Sequence, residues 1–141
     1  MIRACVDINV LVRGIAAQAG TASYAIYQAW LNRRFRLIVS RHILTGVRLA
    51  LEDPYFATRV DQPTAGIYLA RIWLMGEMTV LTVPVRGVAP DHEDDQVLST
   101  AVSGRADFLV TDDPEFLAVQ KYGSVVLVDS ATFRRVLESA D

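Results

Sequence analysis

Short, nearly unbroken apolar runs are the feature that most restricts how this chain can fold. Four of them, at residues 2–8, 35–39, 106–111 and 124–129, are rich in Val, Ile, Leu and Phe. Strands buried on both faces have this composition, and they form parallel sheets that are covered by helices. A fifth run, at residues 79–83, stops at Pro84, which cannot donate a hydrogen bond to a neighbouring strand. The pattern predicts five strands, four of them buried in a parallel sheet.

Helical segments separate the predicted strands. The apolar residues at positions 22, 25, 26, 29 and 30 share one face of a helix over residues 21–31. Further helices are predicted from a Ser40 cap to about residue 51, and over residues 63–78, 93–103, 114–120 and 130–137. Alternating strands and helices predict an α/β fold, a three-layer α/β/α sandwich with a central parallel sheet, as a single domain spanning residues 1–141. The loop at residues 84–91 is the most flexible candidate.

The composition excludes several classes of protein. The 141 residues are 52% hydrophobic and 21% charged, which supplies a core and excludes a disordered chain. The formal net charge of −2 gives no sign of a strongly basic nucleic-acid binder. A single cysteine, Cys5, excludes a disulfide framework and suits a reducing cytoplasm. No apolar run reaches the roughly 18–20 residues of a membrane span, and Asp7 interrupts any apolar signal segment. We therefore expect a soluble cytoplasmic protein.

The charges are unevenly distributed along the chain. Residues 1–60 carry eight arginines and three acidic residues, whereas residues 61–141 carry six basic and thirteen acidic residues. This asymmetry is compatible with separate basic and acidic surfaces, and equally with a folded surface on which the two halves mix.

Acidic residues stand where predicted strands end and where one predicted helix begins. In an open parallel sheet, ligands bind beyond the carboxyl ends of the strands, so these carboxylates can share one crevice. Crowded carboxylates repel one another unless a cation compensates, and oxygen-rich clusters suit Mg²⁺ or Mn²⁺. Such an ion can activate water against a phosphodiester. The residues are Asp7 after the first run, Asp91, Glu93, Asp94 and Asp95 at the helix entry, and Asp112 and Asp113 after the third run.

Each acidic group also has a purely structural explanation. The acids at residues 91–95 can favour the positive end of a helix dipole, and Asp112 or Asp113 can cap the helix that follows. Asp7 lies between Val6 and Ile8 and needs a partner at a buried strand end. Asn9 can hold the free oxygen of that carboxylate or shape a turn.

Four segments, taken in order, resemble the PIN-domain ribonucleases, especially the branch found as toxins of bacterial toxin–antitoxin pairs. They are residues 6–12 (VDINVLV), 40–44 (SRHIL), 91–98 (DHEDDQVL) and 106–113 (ADFLVTDD). The resemblance implies an α/β/α sandwich and a metal-dependent endonuclease that cleaves RNA with Mg²⁺ or Mn²⁺. It also implies that three metal-binding, catalytic carboxylates are Asp7, Asp94 and Asp113. Asn9, Thr111, Asp95 and Asp112 would support them, with Asp95 as the alternative to Asp94.

One position departs from the family pattern. A second acidic residue, normally a Glu six residues after Ser40, is here Gly46, and Glu52 would face well away from it on a helix. Loss of one ligand commonly costs 10–100-fold in metal affinity or activity. Three outcomes follow: a weak or one-metal nuclease, a site repaired by Glu93 or Asp95, or an inactive domain kept for binding RNA or protein.

The resemblance also implies partners. An antitoxin protein would fill the acidic crevice, and a homodimer is expected in many such domains. Arginines can neutralise RNA phosphates, and we single out Arg13, Arg41 and Arg48, with the group at residues 33–36 as a further source of charge. The rival reading of a phosphate-receiving regulatory domain is disfavoured, because the only lysine, Lys121, is not at the end of a late strand.

Overall fold

The computed structural model describes residues 1–17 and 19–140 of the chain. Its strands are β1 (Arg3–Val6), β2 (Arg36–Val39), β3 (Glu77–Met78), β4 (Phe108–Val110), β5 (Lys121–Tyr122) and β6 (Val125–Val128). Its helices are α1 (Ile8–Ala16), α2 (Ala22–Leu31), α3 (Arg41–Glu52), α4 (Pro54–Ala57), α5 (Gln62–Met75), α6 (His92–Ser103), α7 (Pro114–Leu117) and α8 (Ser130–Ser139). No helix in this described part of the chain is long and apolar enough to cross a membrane.

The strands form one sheet in the order β3-β2-β1-β4-β6-β5. Every pairing is parallel except that of β5 with β6. The chain builds outward from β1 to β2 and β3 on one side, and then crosses to β4 and β6 on the other. The order therefore reverses between β1 and β4, and in sheets of this kind the crevice at the carboxyl ends of those two strands is where ligands bind.

Helices cover both faces of the sheet. The Sγ atom of Cys5 in β1 lies 3.8 Å from the carbonyl oxygen of Val97 in α6. Phe108 of β4 pairs beside Ala4, and its ring packs against that of Phe133 in α8, with centroids 5.7 Å apart. Successive residues of a strand point to opposite faces, so α6 and α8 lie on opposite sides. The predicted three-layer α/β/α architecture is confirmed.

Strands β1, β2, β4 and β6 lie within the four predicted apolar runs, but β6 is not buried on both faces, because Val126 is 37% exposed. The fifth strand was misplaced. It occupies residues 77–78 because Gly76 ends α5 and the chain pairs with β2 at once. Residues 82 and 83 turn instead toward α6, where both of their backbone N–H groups donate to Ser103 Oγ at 3.0 Å. The edge strand β5 was not predicted, and the predicted helices over 63–78 and 114–120 end early, at Met75 and Leu117.

The helix α1 is the main element that the sequence pattern did not predict. Its sequence, INVLVRGIA, is rich in β-branched residues, which lower the helical propensity. Asp7 nevertheless caps the helix, and the apolar side chains of Val10, Leu11, Val12 and Ile15 are buried. Tertiary packing thus overrides local propensity, so the first strand ends at Val6 rather than at residue 8.

The loop at residues 84–91 is held to α6 and is not loosely attached. The Asp95 carboxylate accepts backbone N–H bonds from Gly87 at 2.8 Å, Val88 at 3.2 Å and Ala89 at 2.8 Å. Val85 is buried, and Ser99 Oγ donates to the carbonyl of Val83. Three of these bonds tie the backbone of residues 87–89 to α6, in the loop that the sequence marks as the most flexible candidate.

Candidate active site

Asp7 is the residue around which the site is built. It directly follows β1, and its backbone N–H continues the sheet by donating to the Val110 carbonyl at 2.8 Å. Its side chain caps α1, because Oδ1 accepts from the Ile8 N–H at 2.8 Å. Only 7% of the residue is exposed. The junction of a buried strand and a helix therefore fixes a carboxylate at a helix N-terminus, whose dipole stabilises negative charge.

A hydrogen-bond chain joins the ends of β1 and β4. The Thr111 hydroxyl donates to Oδ2 of Asp7 at 2.8 Å, and the same hydroxyl accepts from the Asp113 N–H at 3.2 Å. Thr111 is fully buried. The Asp113 carboxylate caps α7, with Oδ1 accepting from the Glu115 N–H at 3.0 Å. Thr111 therefore fixes the position of Asp7 relative to Asp113.

The first turn of α6 adds carboxylates from a third segment. Asp91 caps this helix by accepting from the Asp94 N–H at 2.8 Å. Burial, followed by the negative charges of Asp7, Asp91 and Asp113, raises the pKa of Asp94 to about 7. Burial also raises the pKa of Asp7, helped by the charges of Asp113 and Asp91 and opposed by its two hydrogen bonds. Four carboxylates from distant parts of the sequence therefore act on one another.

The donor set at this edge fits a hard divalent cation. Carboxylates that repel one another are stabilised when Mg²⁺ or Mn²⁺ binds between them, and all the donors are oxygens. Among residues 1–17 and 19–140, however, no three His, Cys, Asp or Glu side chains already converge to a metal cage. The outer carboxylates would therefore have to turn inward as an ion binds.

Two of the predicted supporting carboxylates hold other parts of the fold. Asp95 is buried, and its hydrogen bonds to the N–H groups of Ala89, Gly87 and Val88 lower its pKa, so it anchors the preceding loop. Asp112 accepts from both the backbone N–H and the hydroxyl of Ser130 at 2.8 Å. Asp95 therefore serves the loop and Asp112 ties the end of β4 to α8.

Asn9 does not hold the Asp7 carboxylate in this structure. The hydrogen bonds to Asp7 come from Ile8 and Thr111, while Asn9 is exposed and lines a groove between α1, α2 and α4. The three predicted RNA-binding arginines occupy different places. Arg13 lines the same groove, Arg41 lines a separate cavity at the start of α3, and Arg48 pairs with Glu52 on the exposed face of α3 at 3.3 Å.

Gly46 lies inside α3 and faces the beginning of α1. A Cβ atom at this position would overlap Cδ1 of Ile8 and lie 3.0 Å from its Cγ1. Ile8 immediately follows Asp7, so the position without a side chain does adjoin the carboxylate site. The space beside Gly46 is filled by an apolar side chain, and the two helices pack closely because residue 46 has none.

Asp91 also belongs to the cluster, although the sequence pattern placed it only among the acidic residues at the helix entry and not among the three metal-binding carboxylates. Its charge raises the pKa values of both Asp7 and Asp94. The available signal was its position three residues before Asp94 at the start of a predicted helix, which is the spacing of a side-chain N-cap. This spacing indicates a capping role but gives no information about the distance between Asp91 and Asp7. The two residues come near each other only because the chain crosses over from β3 to β4.

Known structures share this fold. VapBC2 from Rickettsia felis, in a crystal structure with a DNA fragment from their promoter, aligns at TM-score 0.61 and 16% identity over 91% of this chain and 98% of that chain. FitAcB from Neisseria gonorrhoeae aligns at TM-score 0.55 and 14% identity over the same shares of the two chains. A comparison with curated protein sequences gives no significant match. The family model of the PIN domain matches residues 3–115, which include Asp7, Asp94 and Asp113. This chain belongs to the PIN domain family.

Proposed function

We propose that this protein is a metal-dependent endoribonuclease, using Mg²⁺ or Mn²⁺ to cleave RNA phosphodiesters, and that it is the toxin of a toxin–antitoxin pair. The activity is supported by two observations: Thr111 links Asp7 and Asp113 at the ends of β1 and β4, and the charges of both residues act on Asp94. Burial, followed by the negative charges of the neighbouring carboxylates, raises the pKa values of Asp94 and Asp7. Such a cluster is costly for the folded chain unless a bound cation offsets it.

Each carboxylate has a distinct part in this proposal. Asp7, Asp94 and Asp113 would hold the ion, and Asp91 adds negative charge beside them. Thr111 and the Ile8 N–H keep Asp7 in a single orientation. When bound, a divalent ion supplies a hydroxide from water near neutral pH and stabilises charge on the phosphate. The protein's own contribution is to position the carboxylates and, through Arg13, Arg41 and Arg48, to attract RNA phosphates.

Partners and location are further parts of the proposal. The resemblance to toxin PIN domains favours an antitoxin protein as partner and a homodimer as the assembly. The exposed apolar residues of α5, among them Ile67, Trp73 and Leu74, are surface that a protein can cover. A reducing cytoplasmic location is supported by Cys5, a buried free thiol.

The activity is tested with purified protein and a fluorogenic single-stranded RNA, with Mn²⁺ or with EDTA. We expect cleavage that needs Mn²⁺ and is lost in Asp7→Asn. Asp107→Asn is the matched control, because Asp107 lies before β4 at the opposite end of the sheet and binds the Arg3 N–H. Cleavage that persists in EDTA and in Asp7→Asn would exclude the proposed site.

A second candidate function, an impaired PIN domain that binds RNA or protein, is favoured by the packing at Gly46. Ile8 fills the space next to residue 46, so no carboxylate enters the site from α3. If this candidate is right, the wild type does not cleave RNA in Mn²⁺, and the double variant Ile8→Ala/Gly46→Glu gains cleavage. Gly46→Glu alone is the control, because its side chain meets Ile8. Cleavage by the wild type contradicts this second candidate.

A further inference from the structure

A groove beside the carboxylate site stands out among the cavities. It has a volume of about 790 Å³, which is within the range of ligand-binding clefts. Three helices form it, with α1 as one wall, the start of α2 as the second and α4 as the third. The lining residues that matter here are Asn9, Arg13, Tyr55 and Arg59.

The charge of the groove is opposite to that of the neighbouring site. Its described lining contains two arginines, Arg13 and Arg59, and no acidic residue. Arg13 reaches the carboxylate end of β4, where its Nη1 lies 3.8 Å from Oδ2 of Asp112. Asn9 and Arg13 lie on α1, whose N-cap is Asp7, so the groove and the acidic cluster share this helix. A positive surface on the same helix is what a polyanion bound across the cluster requires.

The groove also carries a stacked aromatic and cationic pair. The guanidinium carbon of Arg59 lies 3.7 Å from the centroid of the Tyr55 ring. The hydrogen bonds that Arg59 makes within the described chain use Nη1, which donates to the Tyr55 carbonyl at 2.5 Å and to Thr58 Oγ1 at 3.3 Å. Nε and Nη2 are left for an external acceptor. Tyr55 is 58% exposed, which is unusual for a ring of this size.

We propose that this groove holds the single-stranded RNA next to the cleavage site, with phosphates on Arg13 and Arg59 and a base on the Tyr55–Arg59 pair. Every base has a flat face, so a ring and a guanidinium plane bind single strands with little sequence preference. Asn9, two residues after Asp7, provides an amide for the sugar or a base edge. The inference rests on the proposed function for its substrate and adds Tyr55 and Arg59 to the residues that bind it.

The experiment measures binding separately from cleavage. Anisotropy of a fluorescein-labelled oligouridine is followed in EDTA, where no metal-dependent cleavage occurs. We expect Arg59→Ala and Tyr55→Ala each to raise the Kd about tenfold. In Arg59→Ala, the slope of log K against the logarithm of the salt concentration should also become smaller by about one. Tyr55→Phe keeps the ring and should bind as wild type does. Arg36→Ala removes a guanidinium at the opposite end of the sheet, beside Glu77, and is the matched charge control.

The outcomes separate this inference from the proposed function. Wild-type affinity in both Arg59→Ala and Tyr55→Ala overturns the groove inference even if the protein cleaves RNA. Weakened RNA binding in those two variants supports it even if no cleavage is found in Mn²⁺. If the two changes weaken binding of a labelled acidic amphipathic peptide and leave RNA binding intact, the groove is a protein-docking surface and the inference is wrong.

Discussion

Gly46 and Ile8 share one space between α3 and α1. Residue 46 has no side chain, and the side chain of Ile8 occupies the space beside it. The sequence pattern indicated that residue 46 carries no carboxylate, but not its contact with Ile8. Replacing glycine in a helix interior normally stabilises the helix by about 0.5–1 kcal/mol. If a larger residue at position 46 lowers the free energy of unfolding, the reason is therefore its contact with Ile8.

Gly46→Glu is therefore expected to destabilise the protein less when Ile8 is shortened. In a double-mutant cycle with Ile8→Ala, the loss in the free energy of unfolding caused by Gly46→Glu should become smaller by about 1–2 kcal/mol. Urea denaturation of the four proteins measures this coupling. Thr45→Glu, on the exposed face of the same helix, serves as the control and should show no coupling with Ile8→Ala. Additive effects of Gly46→Glu and Ile8→Ala would show that the two positions do not share this space.

Asp94 should make the metal-free protein less stable as pH rises. Its pKa is about 7 in the folded protein and ordinary in the unfolded chain, so the folded state binds more protons between these values. This contribution is complete below the unfolded pKa and is lost as pH rises through 7. After screening by solvent at this half-exposed group, we expect the free energy of unfolding in EDTA to fall by about 1 kcal/mol between roughly pH 5 and 8.

Asp94→Asn is the variant that checks this pH dependence. Both proteins keep His42 and His92, so the difference between their denaturation curves reports Asp94. The variant should lose most of the decline, and Mg²⁺ should stabilise the wild type more than the variant at the higher pH. Equal slopes in the two proteins would contradict the repulsion that we describe among the carboxylates.

At the level of elements, two adjacent residues of α6 have different partners, one in the carboxylate site and one in the loop that precedes the helix. Asp94 faces the carboxylate cluster, while Asp95 turns to the loop and accepts three backbone N–H groups. Adjacent residues on a helix point about 100° apart, so one helical turn can present one carboxylate to the site and another to the loop. This geometry explains why the acidic run does not act as one cluster.

Asp95→Asn should loosen the loop without removing its backbone. The amide nitrogen of Asn cannot accept the Gly87 N–H, so we expect a loss of about 1–3 kcal/mol in the free energy of unfolding. Hydrogen exchange at residues 87–89 should become faster. Glu93→Gln, in the same turn of α6, is the control because the Glu93 side chain is 73% exposed. Unchanged exchange at residues 87–89 would show that other contacts hold the loop.

At the scale of the whole molecule, the basic first half of the sequence does not form one surface. Arg13 and Arg59 line the groove beside the site, whereas Arg33 and Arg36 line a cavity of about 490 Å³ at the opposite end of the sheet. Arg3 and Arg36 pair there with Glu77 from the acidic half. Folding therefore brings charges of the two halves together at both ends, Arg3 and Arg36 with Glu77 at one and Arg13 with Asp112 at the other.

The exposed apolar side of α5 predicts self-association. Leu74 is 79% exposed and Trp73 is 47% exposed, and a helix with apolar residues on both sides usually has a partner. If the protein is a homodimer through this surface, light scattering should give twice the 15.6 kDa of the chain. Leu74→Glu should shift the mass to that of a monomer, and Glu52→Lys on α3 should not. A monomeric wild type would contradict the predicted dimer.

The sequence by itself determined the class of fold and the candidate metal-binding acids. Continuous apolar runs indicate strands that are buried in a sheet. Acidic residues that directly follow such strands indicate a site at one edge of that sheet. Tertiary structure alone decided that residues 8–16, with four β-branched residues among nine, form a helix, that the charge of Asp91 acts on Asp7, and that Ile8 fills the space beside Gly46. Those features depend on contacts between segments far apart in the chain, and local propensity and spacing contain no information about which distant surfaces meet.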